Sequence, residues 1–398
     1  MGHAMATHAD SGGIPGTPGT PRVLRAMNDR AALDLLAAHG PLTRTRLSEL
    51  TGLSKPTASQ LLGRLEEMGL VRARSKVRGK PGPSALLYEI EPSAAHVAAL
   101  SADPHGISAA VADITGTVVG RARVEAESVP EDVPHRTARL VEEAVGGALR
   151  QAAPAAREPH TTVIGTPGAI DPRTGELRYA PHLPGWHSRT LRAELAEVLG
   201  TTVTIDNDVN LAAVAEQHEG AAQDHDNFAL VWVDDGTGAA VVVDGTLLRG
   251  ATGGAGEIGY MPLPGAPLAR GGPGAYAAED GGGGFQSLVS VAAVRALAGG
   301  KPLADALADP QVRAEVARRL AGGIAAVVAV VDPELVVLSG AVPRTGGEEL
   351  RALVERELTG LALPRPLLRL SEVEDDPILS GALLSALAQA RNEVFDTA

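Results

Sequence analysis

Apolar residues recur every three or four positions through Leu24, Met27, Ala31 and Leu35, a helical period that stops at Gly40-Pro41. A short second helix is predicted from about Thr43, whose hydroxyl can cap it, through Leu47 and Leu50 to Gly52. A third runs from Ser54 to about Met68. Ser54 is a favourable N-cap, and Pro56 falls in the first turn, where a missing N–H costs little. Ala58, Leu61, Leu62 and Leu65 then form an apolar stripe, with Lys55, Thr57, Ser59, Gln60 and Arg64 on the opposite face. From Val71 to Ile90 two extended segments flank a basic tip, Arg72, Arg74, Lys76, Arg78 and Lys80, broken by Pro81-Gly82-Pro83. That pattern is a hairpin.

From Ala94 the texture changes to strands alternating with helices. Strands are predicted at Val163-Ile164, Val203 to Ile205, Ala229 to Val233, Ala239 to Val243 and Leu335 to Leu338. Helices are predicted at Thr137 to Arg150, Ser188 to Leu199, Val209 to Gln217 and Gln311 to Val331. This is an α/β pattern. Residues 265–284 are a Gly-rich interruption with no assigned element, and no short-period repeat is evident. Residues 1–20, rich in Gly, Pro, Thr and His without periodicity, are expected to be a disordered tail whose first few residues resemble a cloning remnant.

A chain of 398 residues implies two or three compact units. Aromatic residues make up only 2%, so its cores must rely on Ala, Val and Leu. There is no cysteine, which excludes disulfides and thiolate zinc sites and fits a reducing cytoplasm. No apolar run approaches the ~18 residues of a membrane span, and no basic-then-apolar leader is visible, so a soluble cytoplasmic protein without membrane contact is expected. The net charge of −13 argues against nucleic acid until it is divided. Between Pro21 and Pro92, twelve Lys or Arg face seven Asp or Glu, a net +5 that leaves −18 for the remainder. A small basic module is attached to a large acidic one, as expected when only one part touches DNA.

Three helices, a tight turn and a basic wing suit double-stranded DNA. The third helix can enter the major groove while the wing reaches the neighbouring backbone. The candidate DNA-contacting residues are Arg44, Lys55, Thr57, Ser59, Gln60, Arg64, Arg74, Lys76, Arg78 and Lys80. The alternative is a solvated helix face and a charged loop. The segments Leu24-Arg-Ala-Met-Asn-Asp-Arg, Gly40-Pro-Leu-Thr-Arg, Leu47-Ser-Glu-Leu-Thr-Gly-Leu-Ser-Lys-Pro-Thr, Leu65-Glu-Glu-Met-Gly-Leu-Val and Gly79-Lys-Pro-Gly resemble the N-terminal domain of repressors in the ROK (repressor, open reading frame, kinase) family. The resemblance implies a winged helix-turn-helix that binds two-fold operators as a dimer.

Four further landmarks extend the resemblance over nearly all of residues 21–398: Gly165-Thr-Pro-Gly-Ala-Ile-Asp171, Ala180-Pro-His-Leu-Pro-Gly-Trp186, Asp206-Asn-Asp-Val-Asn210 and Gly253-Gly-Ala-Gly-Glu-Ile-Gly259. They imply a two-lobed actin-like (sugar kinase/Hsp70-type) α/β domain with a sugar cleft between its lobes. The expected division is a winged helix over 21–92 and a ROK domain over 93–398, with a small lobe at 93–205 plus the last helix, 379–396, and a large lobe at 206–378. Asn207, Asp208 and Glu257 match sugar-contacting positions, Gly168 and Tyr260 stand beside them, and Asp208 matches the proton-accepting base of the family's kinases. Carboxylates and amides suit this task because they pair with hydroxyls of a polyol. Asn207 and Asp208 can equally cap a helix starting there, and Glu257 can satisfy backbone amides.

Two departures from the family pattern separate this chain from a kinase. Family kinases have an Asp-x-Gly-Gly-Thr turn that cradles nucleotide phosphates; here the turn is Asp103-Pro-His-Gly-Ile-Ser, in which proline removes a donor. ATP is therefore not expected to bind. Leu338-Ser-Gly-Ala341 is a partial match to the adenosine turn, and Gly236-Thr-Gly238 serves equally as a hairpin turn. The family's structural zinc uses a histidine and three cysteines; Tyr260 stands at the histidine and Arg270-Gly-Gly-Pro-Gly-Ala275 where cysteines would be, so no metal is expected. The glutamate that the same region lends to the sugar falls at Ala277, with Glu279 nearby. The expectation is a homodimeric or tetrameric, non-enzymatic repressor of carbohydrate genes, released by a sugar or sugar phosphate. The alternatives are a regulator whose ROK domain serves only dimerisation or a non-sugar ligand, and an active kinase.

Overall fold

A computed structural model describes residues 21–74, 86–130, 133, 135–152, 158–171, 173–175, 177–178, 186, 190–268, 283–362 and 364–396. The wing-tip candidates Lys76, Arg78 and Lys80, most of the Ala180–Trp186 landmark, and the stretch holding Arg270, Ala277 and Glu279 lie outside the described residues. The chain forms two compact units, one running to Glu91 and including Glu393–Ala398, the other spanning Pro92–Asn392.

The first unit has α1 (Pro21–His39), β1 (Leu42–Thr43), α2 (Arg44–Thr51), α3 (Lys55–Glu67), β2 (Val71–Arg74) and β3 (Leu87–Ile90). Its three strands form an antiparallel sheet in the order β1-β3-β2. Thr43 caps α2 by accepting from Arg46 N, and Ser54 caps α3 by accepting from Thr57 N. The stripe Ala58, Leu61, Leu62 and Leu65 is fully buried, as its spacing predicts. The face of α1 differs from the expectation. Leu24 and Met27 are exposed, and the helix instead buries Ala32, Leu33 and Leu36 together with Asp29. The charge of Asp29 obscured that register, because its carboxylate is neutralised across the core by Arg64 Nη2 at 2.6 Å.

The second unit begins with a meander, β4 (His96–Asp103), β5 (Gly106–Asp113) and β6 (Val118–Glu125), followed by α4 (Arg136–Gln151), β7 (Thr161–Thr166), the small pair β8 (Ala169–Ile170) and β9 (Leu177–Arg178), α5 (Leu191–Leu199) and β10 (Thr202–Asn207). Then come α6 (Asp208–Glu219), β11 (Phe228–Val233), β12 (Thr237–Val243), β13 (Thr246–Leu247), α7 (Gln286–Val289), α8 (Val291–Leu297), α9 (Leu303–Ala308), α10 (Pro310–Val331), β14 (Leu335–Ser339), α11 (Ala341–Leu361), β15 (Leu367–Leu370) and α12 (Pro377–Asp396). Two five-stranded sheets result, ordered β10-β7-β4-β5-β6 and β13-β12-β11-β14-β15. In each, a three-stranded antiparallel meander is extended by two parallel strands beside its first strand. The second lobe thus repeats the topology of the first.

Helices pack on these sheets because both faces of the central strands are apolar, the usual state of strands covered on both sides. In β11, Leu230 faces a cluster with Val209, Ala212 and Ala213 of α6, while Val231 and Val233 face Leu320 and Ile324 of α10 and Val354 of α11. In the first lobe Leu100, Ala109 and Val111 pack against Val141, Ala144 and Val145 of α4. The last helix departs from its expected placement with the small lobe alone. Its end, from Glu393, belongs to the N-terminal unit, because Phe395 is buried there under the guanidinium of Arg30 and Asp396 pairs with that guanidinium at 2.8 Å.

Candidate functional site

The repeated topology brings the first hairpin of each lobe to one cleft within the second unit. The β4–β5 turn (Asp103 to Gly106) and the β11–β12 turn (Asp234 to Thr237) line it, as do the β10–α6 junction, the Gly253–Tyr260 loop, the β14–α11 junction and the start of α12. Together they surround a cavity of about 720 Å³. Gly168, Asn207, Asp208, Glu257 and Tyr260 all line it.

The loop carrying Glu257 sits where it does because its glycines allow close approach. Gly256 has φ +93°, and a Cβ there would lie 1.9 Å from the carbonyl oxygen of Ala239; at Gly253, φ +81°, it would lie 2.1 Å from that of Ile170. Any side chain would push the loop off β8 and β12 and carry Glu257 away from the cleft.

Asn207 is committed within the protein. Its Oδ1 accepts from Asn210 N at 2.9 Å and so caps α6, while Nδ2 donates to Gly168 O at 2.9 Å and to Asp208 Oδ1 at 3.1 Å. Both amide hydrogens are therefore used, and Asn207 positions Asp208 and the Gly168 turn. Asp208 Oδ1 also accepts from Val209 N at 2.7 Å, and its Oδ2 receives no side-chain donor among the described residues. Burial pushes the Asp208 carboxyl up to about 6 despite these hydrogen bonds. The Glu257 carboxylate receives no hydrogen bond among the described residues, and burial together with the Asp208 charge pushes it up to about 7. Two carboxylates thus meet across the cleft, short of hydrogen-bond donors, a demand that hydroxyls of a bound polyol satisfy.

The two hairpin turns of the cleft each hold an aspartate bonded to backbone amides. Asp103 Oδ1 accepts from His105 N at 2.7 Å and Gly106 N at 2.9 Å, and Pro104 has no N–H to give. In the second lobe Asp234 accepts from Asp235 N at 3.0 Å and from Ala341 N, at the first turn of α11, at 3.1 Å. Two amides of the first turn and one of the second are thus bonded to the protein's own aspartates. The chain has no cysteine, and among the described residues no three His, Asp or Glu side chains are grouped to hold a metal.

Sequence reasoning missed Asp234, Asp235, Arg344, Asp375 and Asp376, all of which line the cavity. In the structure Asp234 follows the first strand of the second lobe much as Asp103 ends that of the first, and both precede a turn.

On the first unit, Lys55, Thr57 and Gln60 are exposed along α3 and Ser59 is half-buried, with Arg74 exposed at the edge of the wing. Two candidates are engaged inside the unit. Arg64 is the partner of buried Asp29, and Arg44 donates to Tyr88 Oη at 3.0 Å with its guanidinium over the Tyr88 ring. Arg64 therefore ties α3 to α1, while its side chain stays 36% exposed.

A winged helix followed by a two-lobed actin-like domain with a carboxylate-lined cleft defines the class. Residues 99–389 match the ROK family model, and the chain belongs to the ROK family. Residues 27–80 match the MarR family, a winged-helix group. The chain is 26% identical over 245 residues to the DNA-binding transcriptional dual regulator NagC of Escherichia coli K12, covering 61% of this chain and 58% of that protein. It thus spans about three-fifths of the length of that regulator. Among solved structures, a ROK family transcriptional regulator, a homologue of the E. coli Mlc protein, superposes with a TM-score of 0.71 at 20% identity, over 94% of this chain and all of that one. A ROK hexokinase from Thermus thermophilus superposes with a TM-score of 0.60 at 28% identity, over 75% and 99%. Regulators and kinases both stand among these relatives. No helix among the described residues is long and apolar enough to cross a membrane.

Proposed function

We propose that this protein is a cytoplasmic, sequence-specific DNA-binding regulator, a repressor of carbohydrate genes whose ROK cleft senses a small polyhydroxylated molecule. The observation that carries this reading is the combination of a donor-short Asp208–Glu257 pair with two hairpin turns that each hold an aspartate. The cleft has the groups to read hydroxyls, and amides of its two hairpin turns are taken up by Asp103 and Asp234. NagC and the Mlc homologue are regulators by name, and the exposed face of α3 gives this chain a matching surface.

In this mechanism a homodimer or tetramer places two α3 helices in successive major-groove half-sites, with Lys55, Thr57, Ser59 and Gln60 meeting base edges and phosphates. Ligand hydroxyls bind Asp208 and Glu257 and favour a closed arrangement of the two lobes. Operator affinity falls by as much as the ligand prefers that closed form.

The test is binding of the full chain to DNA upstream of its own and neighbouring genes, titrated with a panel of sugars. Release by one compound, lost in Asp208→Ala while DNA affinity stays intact, supports the reading; a variant still released by the same compound overturns it. The kinase alternative rests on Asp208 at the base position. A coupled ADP-release assay with hexoses, expected to show no turnover, separates the two.

A further inference from the structure

An ion pair joins the strand that ends at Asn207 to the loop that carries Glu257. Asp206 lies on β10, in the first sheet; Arg249 follows β13, in the second, and leads into the Gly253–Tyr260 loop. Arg249 Nη2 donates to Asp206 Oδ2 at 2.7 Å. Asp206 Oδ1 accepts from Asn207 N at 2.9 Å, so the carboxylate is also held by its own strand. Its side chain is only 17% exposed.

Isolated pairs on a surface contribute little, because two long side chains must be ordered in water. This pair differs in what it spans. The segment from Leu248 to Gly256 is a strap with both ends on the second lobe, where Leu248 N donates to Val241 O and Ala239 N donates to Gly256 O, each at 2.8 Å. The strap meets the first lobe at a second point, Gly253, where a Cβ would stand 2.1 Å from Ile170 O. Ile170 in turn packs on the first-lobe core. Within the strap Ala255 N donates to Arg249 O at 3.3 Å, which links the position of Arg249 to the residues beside Glu257. The Glu257 carboxylate has no hydrogen bond of its own among the described residues, so the strap sets its place.

We propose that Arg249 is a positioning residue of the ligand site: paired with Asp206, it fixes the Glu257 loop to the first lobe, so that Glu257 faces Asp208 before a ligand arrives. This rests on the reading of Asp208 and Glu257 as the hydroxyl-binding pair. Neither Arg249 nor Asp206 lines the cavity, so both act on a ligand through the loop alone. The pair raises the fraction of molecules whose loop is already in place, and apparent affinity follows that fraction.

Hydrogen exchange of the full chain without ligand tests the loop, and calorimetry with glucose, xylose and N-acetylglucosamine tests the site. Asp206→Asn keeps an acceptor for Asn207 N and removes the charge; Arg249→Gln removes the guanidinium. Each should speed exchange of the Ala255, Glu257 and Ile258 amides about fivefold and leave those of β11 unchanged, with the double variant no faster than either single one. Arg249→Lys, which keeps the charge, should exchange more slowly than Arg249→Gln. A sugar that binds the parent should bind Arg249→Gln about fivefold more weakly at an unchanged melting temperature. Unchanged exchange overturns the proposal, as do single-variant effects that add in the double variant. Faster exchange with unchanged sugar affinity also overturns it and leaves the hydroxyl-binding reading standing. If none of the three sugars binds the parent, it is that reading that falls, and exchange still decides whether the pair holds the loop.

Discussion

Asn207 donates to Asp208 Oδ1 at 3.1 Å while its own Oδ1 caps α6 through Asn210 N at 2.9 Å. One side chain therefore holds both the helix start and the carboxylate offered to the ligand. These two roles separate in Asn207→Ser, because serine caps as well as asparagine but has no amide to hold Asp208 and Gly168. Thermal stability of the variant should stay within about 1 kcal/mol of the parent, while affinity for the effector falls about tenfold. Parallel melting curves and effector titrations check this; unchanged affinity would reduce Asn207 to a cap.

Glu257 predicts a pH dependence of stability. Its carboxyl is raised from the ordinary carboxylate value to about 7, by burial first and by the Asp208 charge second. A folded-state value above the unfolded one means that the native state holds its proton more firmly. The contribution is full below the unfolded value and is lost as pH rises through about 7. Glu257→Gln removes the charge and keeps the shape. The variant should melt a few degrees, about 2–5 °C, above the parent at pH 8 and match it at pH 5. Calorimetric scans at the two pH values decide the matter; an equal shift at both would mean that ionisation is not the cause.

The two ends of α3 should respond differently to mutation. Lys55→Ala and Gln60→Ala remove exposed groups and should leave stability unchanged while weakening operator binding by about 1–3 kcal/mol where a base is read. Lys55→Ala should also reduce the salt slope of binding by about one if it meets a phosphate. Arg64→Ala instead strands the Asp29 carboxylate, whose side chain is only 5% exposed, and should cost about 2–4 kcal/mol of stability in the first unit. Fluorescence anisotropy on operator DNA, alongside denaturant melts, separates the two classes.

The sequence was most legible where local rules and burial agree. Thr43, Ser54 and the Ala58–Leu65 stripe were readable because caps and a helical apolar period both mark them. Leu24 and Met27 misled because an apolar period also continues along the exposed turns of α1, while the true inner face includes a charged residue, Asp29. The meander β4 to β6 was not seen, because β4 is Ala-rich and buried on both faces, so it has no alternation to detect. The duplicated topology was equally invisible. It preserves strand order, not side chains, and only the structure shows that Asp103 and Asp234 occupy matching turns. Asn207, Asp208 and Glu257 were found by resemblance. Their acidic neighbours were not, since Asp375 and Asp376 reach the cleft from the far end of the chain.

The end of α12 gives a final test, one that separates burial from charge within a single turn. Phe395 is 1% exposed and lies 5.8 Å from the Arg30 guanidinium, whereas the Asp396 side chain that pairs with the same guanidinium is 69% exposed. Removing a buried phenyl ring leaves a cavity that costs about 3–5 kcal/mol, but an exposed ion pair contributes about 1 kcal/mol or less. Phe395→Ala should therefore destabilise the DNA-binding unit strongly and lower operator occupancy at growth temperature, while Asp396→Ala leaves both nearly unchanged. Hydrogen exchange of the α1 amides reads the local effect directly. Comparable loss of protection in the two variants would show that the ion pair, rather than the packed ring, anchors the chain terminus to this unit.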